Sequence, residues 1–164
     1  VALQVANTLS DAFPDRFTVP PILERMLDAG LFGRKCGAGF YAYEGKKQRP
    51  GIDAMACHRG MVRDEDSAVP MGERLVLLMV NEAARCLEEG VVTSPDDIDL
   101  AMLLGTGWAP FRGGPIRHAR AAGIPGIVKK LEELACIEGP LYQPSPLLRR
   151  WENLETLLEP RRVS

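Results

Sequence analysis

No stretch of this 164-residue chain approaches the run of about 20 apolar residues needed to cross a bilayer, so a helical membrane span is excluded. A basic excess is missing too. Twenty Lys and Arg stand against 22 Asp and Glu, for a net charge of −2, which argues against a nucleic-acid binder. The chain has neither an initiator Met nor a charged-then-apolar leader, so targeting is not legible at this end. Cysteine is sparse. Cys36, Cys57, Cys86 and Cys136 lack the paired spacing of a zinc motif, which points to reduced thiols in a cytosolic setting. Cys86 and Cys136 fall within helical patterns and are expected to be buried, inert thiols.

What the chain has is an ordinary apolar content of 46%, enough for one domain or for two small units with a core. It also has an internal echo. FTVPPILERML, Phe17 to Leu27, returns as YQPSPLLRRWE, Tyr142 to Glu152, pairing Pro21 with Pro146, Leu23 with Leu148 and Arg25 with Arg150. Upstream, Leu3, Ala6 and Leu9 fall on Val128, Leu131 and Leu134. Such self-similarity is the mark of repeated structural units. The second copy has a patterned stretch ahead of its echo, from about Met71 to Pro125, that the first lacks; the expectation is two related helical units, the first truncated at its N-terminus.

The pattern along the chain is mostly helical. Val1, Leu3, Val5, Leu9 and Phe13 form an imperfect helical stripe. Pro20 and Pro21 open a second helix that Gly30 stops. LFGRKCGAG then leads into FYAYE, a short extended segment. Residues 46–69 are polar and without period, and are expected to link residues 1–45 to a second unit over 70–160. From Gly72 to Glu89 a long helix is predicted, with Leu75, Leu78, Met79, Ala83, Cys86 and Leu87 on one face and Asn81, Arg85, Glu88 and Glu89 opposite. Its LVLLMV segment is apolar all round, so a core on one side and a partner surface on the other are expected to cover it. Gly90 ends that helix, Ser94 caps the next, Pro95 takes its first position, and Asp96 and Asp97 complement its dipole. Helices in IRHARAAG and GIVKKLEELACIEG follow. Leu147, Leu148, Trp151, Leu154 and Leu158 mark the last one.

Few groupings suggest chemistry. Arg112, Arg117 and His118, with Arg120 nearby, follow a glycine pair at a helix start, where free amides and guanidinium groups could hold an anion. The plainer reading is a tight turn at Gly113 and Gly114 with solvated arginines, since no phosphate-loop spacing is present. GRKCGAG has the glycines of a phosphate loop but the reverse order, helix before and extended segment after, so it is expected to turn the chain. Cys57 and His58 are sequence neighbours in the polar stretch, a poor basis for a catalytic pair. Asp96, Asp97 and Asp99 crowd a capped helix start, where dipole compensation accounts for all three. No catalytic, cofactor-binding or metal-binding residue is expected.

Two longer motifs carry a resemblance. NEAARCLEEGVVTSPDDIDLAMLLGTGWAPFRGGPIRHA, Asn81 to Ala119, resembles the C-terminal domain of the 3-hydroxyacyl-CoA dehydrogenase family, in particular its second copy in multifunctional fatty-acid oxidation proteins. PPILERMLDAGLFGRKCGAGFYAYE is similar to the end of the first copy, which closes on G-[RK]-K-x-G-x-G-F-Y. The resemblance implies a mainly all-α fold of the 6-phosphogluconate-dehydrogenase-C-terminal-like type, duplicated. It implies a parent that transfers hydride from C3 of a 3-hydroxyacyl-CoA to NAD, with NAD held on a Rossmann domain outside this segment. The family's catalytic serine, histidine and glutamate match no residue here, and its active-site asparagine, in a V-N-R context, falls on Glu73. Implied partners are the Rossmann and hydratase domains of the same chain, a second copy in a homodimer, and a thiolase subunit. The implied location is cytoplasmic, a bacterial cytoplasm ahead of an organelle. Two other readings stand beside this one: a free-standing helical scaffold or dimerisation module, and a small CoA-binding module centred on Arg112 to Arg120.

Overall fold

The computed structural model describes residues 1–51 and 69–158, with side chains as far as Glu152. The chain divides into two compact units, Val1–Glu65 and Asp66–Ser164. Cys57, His58, most of the expected linker and the side chains of Leu154 and Leu158 lie outside the described residues.

The first unit holds helix α1 (Ala2–Ala12), helix α2 (Pro21–Asp28) and a hairpin of β1 (Tyr41–Glu44) and β2 (Lys47–Pro50). Pro21 sits at the first position of α2, where its missing N–H costs nothing. At the other end, Gly30 takes φ +69° and the Leu31 N–H reaches back to the Met26 carbonyl at 2.8 Å. That wrap-around closes the free carbonyls of the last turn. The strands pair antiparallel with Glu44 opposite Lys47. Gly45 supplies the positive φ, +62°, that the first position of a two-residue hairpin turn requires. Strand β2 falls where the sequence suggested linker. KQRP is exposed at every position, so no apolar alternation announced it, and it is held by pairing with β1.

The second unit is built on α3 (Met71–Glu88), α4 (Pro95–Gly105), α5 (Pro115–Ala122), α6 (Ile124–Glu138) and α7 (Pro146–Leu158), with 3-10 turns at Pro110–Arg112 and Pro140–Tyr142. Helix α6 is its centre. Ile124, Ile127, Val128, Leu131 and Leu134 recur at helical spacing and are buried against Leu77, Val80 and Ala84 of α3 and Leu148 of α7. Each such aliphatic side chain contributes roughly 1.5–3 kcal/mol by leaving water. A smaller cluster of Ala83, Ile98 and Ile116 joins α3, α4 and α5.

The faces of α3 differ from the sequence reading. Leu75 is 56% exposed, whereas Asn81, placed on the polar face, is 1% exposed. Asn81 is buried because every polar atom of its amide group is used for a backbone contact. Its Nδ2 donates to the Gln143 carbonyl and its Oδ1 accepts from the Ser145 N–H, both at 2.8 Å. Ser145 then caps α7, its Oγ accepting from the Leu148 N–H at 3.2 Å. One amide group thus ties α3 to the start of α7. Leu77 and Val80 lie inside the unit's own core. Against the expectation of two buried thiols, Cys136 is exposed, since α6 turns its Leu131 and Leu134 face inward, and Cys86 of α3 is half-buried at the edge of the smaller cluster.

The echoing segments adopt like structures. Helix α1, a turn and α2 correspond at the offset of 125 to α6, a 3-10 turn and α7, and both α2 and α7 begin on the echoing prolines Pro21 and Pro146.

Candidate functional site

The sequence placed a candidate anion site at the start of α5, and its amides are already engaged. Asp99, 5% exposed on α4, accepts the Ile116 N–H at Oδ1 (2.8 Å) and the Arg117 N–H at Oδ2 (3.0 Å). A carboxylate there meets both the free donors and the positive end of the helix dipole. Gly114 makes the approach possible: it takes φ +108°, and a Cβ on it would lie 2.4 Å from the Asp99 side chain. Asp99 therefore serves the neighbouring helix. Only Asp96 and Asp97 lie in the first turn of α4, whose cap is the Ser94 Oγ accepting the Asp97 N–H at 3.1 Å.

The three candidate residues then part company. Arg117 is exposed and directed at Asp96, 3.7 Å away, a solvated pair of little energetic weight. Arg120 lies over the Trp151 ring, 5.6 Å from its centre. Arg112 and His118 both line an open cleft of about 780 Å³, walled by Gly72, Glu73, Val76 and Met79 of α3 and by residues 106–109 and Phe111.

The cleft mixes apolar walls with a few charges. Glu73, in the first turn of α3, is bound by Lys130 Nζ of α6 at 2.5 Å. Trp108 is buried, its ring centre 6.1 Å from that of His118, and its Nε1 finds no acceptor among the described residues. A buried donor left so costs about 1–3 kcal/mol, so packing holds this indole in place. Burial pushes the His118 imidazole below its ordinary 6.5; the Arg112 charge adds to the shift and Glu73 opposes it. His118 is thereby held toward its neutral form. Phe111, with the Arg112 guanidinium 5.7 Å from its ring centre, is 86% exposed at the rim. Trp108, Phe111 and Met79 were missed in the sequence. For the two aromatics the signal was their pairing inside the Gly- and Pro-rich GTGWAPFRGGP; Met79, on the apolar stripe of α3, gave none.

GRKCGAG does not fit a dinucleotide pyrophosphate. It joins α2 to β1, and its amides turn inward: Gly33 N–H donates to Ala38 at 2.7 Å, Cys36 N–H to Gly33 at 3.2 Å. Gly39 packs against Gly33 so closely that a Cβ would stand 2.8 Å from the Gly33 Cα. The glycines serve backbone approach within the turn. Among the described residues no cluster of three or more His, Cys, Asp or Glu could hold a metal ion, and no helix is long and apolar enough to cross a membrane.

Comparison with known proteins places these features. The family described as 3-hydroxyacyl-CoA dehydrogenase, C-terminal domain, matches residues 71–158. The chain is similar to the fatty acid oxidation complex subunit alpha of Idiomarina loihiensis, 36% identical over 152 residues, covering 92% of this chain and 22% of that one. The subunit of the same name from Vibrio parahaemolyticus is 34% identical over 144 residues, covering 88% of this chain and 20% of that one. Among solved structures, the dehydrogenase part of multifunctional enzyme 1 from C. elegans superposes with a TM-score of 0.62 at 25% identity, covering 90% of this chain and 35% of that one. The chain thus spans about a fifth of the length of the curated relatives it matches.

Proposed function

Since the chain belongs to the 3-hydroxyacyl-CoA dehydrogenase C-terminal domain family, we propose that it works as the helical C-terminal part of a longer, multifunctional NAD-dependent 3-hydroxyacyl-CoA dehydrogenase of fatty-acid oxidation. The observation that carries this reading is that one relative aligns across both units, over 92% of the chain. In this role the chain supplies packing surface to the dehydrogenase: it helps close the substrate cleft, supports dimerisation, and leaves NAD and the proton-transferring residues to domains outside it. NAD, when bound there, accepts the hydride. The two units are a duplication of one helical domain, a reading supported by the like structures of the echoing segments. The second unit keeps the fold without the chemistry. Glu73, at the position of the family's active-site asparagine, is a carboxylate engaged by Lys130, so it offers no free amide to a substrate. The cytoplasm is the proposed location, and the remaining domains of the same protein are its first partners, with a thiolase subunit a further one.

The test is to assay NADH formation from a 3-hydroxyacyl-CoA by this chain alone and by the chain extended to a Rossmann domain. Activity is expected only in the extended protein. NADH formation by the 164-residue chain alone would overturn the proposal.

A further inference from the structure

We propose that the cleft of the second unit binds a small organic anion, a compound with an apolar body of acyl or aryl type ending in a single carboxylate or phosphate group. The inference stands on the second unit alone and is independent of what the parent enzyme does.

Size is the first support. At about 780 Å³ the cleft lies within the range of roughly 300–1,000 Å³ typical of small-molecule sites. Its walls decide the body of the ligand: Val76, Met79, Trp108 and Phe111 are apolar and face one opening. Phe111 leaves 86% of its surface in water beside the buried Trp108, and an apolar body laid along the cleft would cover it.

The charges decide the head group. Among the described residues Glu73 is the only carboxylate of the lining, and Lys130 holds it at 2.5 Å, so the two offset one another. Arg112 has no acidic partner among the described residues, and its guanidinium sits by the Phe111 ring at the rim. One unbalanced positive charge therefore remains at the mouth of an apolar cleft. A planar guanidinium presents the forked donors that suit a carboxylate or phosphate oxygen pair. The α5 amides take no part, because Asp99 already occupies those of Ile116 and Arg117. A bare inorganic anion thus has only one arginine to hold it and should bind poorly. Affinity should come from head and body together.

The experiment is titration of the full chain by calorimetry with octanoate, phenyl phosphate, octanol, acetate and inorganic phosphate. Octanoate or phenyl phosphate should bind saturably at one site, at least tenfold tighter than acetate or phosphate, and which of the two binds tighter identifies the source of the anion. Arg112→Gln should weaken the anionic ligands by about tenfold, in line with about 1.4 kcal/mol for a factor of ten, and leave octanol unchanged. Phe111→Ser should weaken all three bodied ligands. Leu104→Ser, which removes an 80%-exposed side chain outside the cleft lining, is the control and should change nothing. The proposal is overturned if neither bodied anion binds, if acetate binds as well as octanoate, or if Leu104→Ser weakens binding as much as Phe111→Ser. An Arg112→Gln variant that binds octanoate with wild-type affinity likewise overturns it, and circular dichroism establishes that each variant is folded.

Discussion

Replacing Asp99 by Ala should cost the second unit far more than replacing either of its acidic neighbours. Asp99 is buried and makes two hydrogen bonds to the start of α5, at 2.8 and 3.0 Å. Each is charge-assisted, a class worth about 1.5–3 kcal/mol, and the Ile116 amide it leaves behind belongs to a residue 1% exposed, with no water to take over. Cap removals at helix starts cost about 0.5–2 kcal/mol when solvent can step in. The combination sets an expected loss of about 2–4 kcal/mol. For a unit of this size about 1 kcal/mol moves the melting temperature by 4–8 °C, so a shift of roughly 8–32 °C is expected. Asp97→Ala, at an exposed first-turn position of α4, should cost less than about 1 kcal/mol. Asp99→Asn keeps one acceptor and should fall between the two. Thermal and urea unfolding followed by circular dichroism measure all three. If Asp99→Ala were no less stable than Asp97→Ala, the cross-helix cap would not be what holds α5.

Asn81→Ala should lose about 1–3 kcal/mol, because it strands the buried Ser145 amide while the Gln143 carbonyl keeps the Arg85 guanidinium at 2.9 Å, and urea midpoints will register it. Charging α3 should separate its faces: Leu77→Glu is expected to unfold the second unit, while Leu75→Glu leaves its melting temperature within a few degrees. A Leu75→Glu variant as unstable as Leu77→Glu would contradict the burial described. For His118 the pKa is depressed, so the folded protein prefers the neutral ring and the unfolded chain takes up the proton first as pH falls. Stability should therefore decline as pH drops through 6.5 toward the folded value, and His118→Asn should flatten that part of the profile. Identical profiles for the two proteins between neutral and mildly acidic pH would refute the assignment.

Much of the helical framework was legible in the residues themselves. Pro21, Gly30, Gly90, Ser94 and Pro95 each impose or forbid a local conformation, and the helices begin and end where they stand. The family was legible too, in two long motifs, the second of which, Asn81 to Ala119, lies within the residues that the family matches. The anion candidate was legible only by halves. Arg112 and His118 do share a cleft, but the amides beside them answer to Asp99, seventeen and eighteen positions earlier, and no local pattern announces that bond.

Local chemistry acts over a turn or two of chain, which is why the sequence by itself determined the punctuation, the helical class and the family. Tertiary structure decided the faces. Along α3 the apolar residues run nearly all the way round, so periodicity could not choose an inward side, and Asn81 went inside because the start of α7 offered its amide a carbonyl and an N–H. It also decided that KQRP would be a strand, that Asp99 would cap another helix than its own, and that Trp108, Phe111 and Arg112 would meet Glu73 around one cleft. The strand is held by a neighbour one tight turn away that its own residues do not announce, and the others depend on partners distant in sequence, which only the folded chain brings within hydrogen-bond or van der Waals reach.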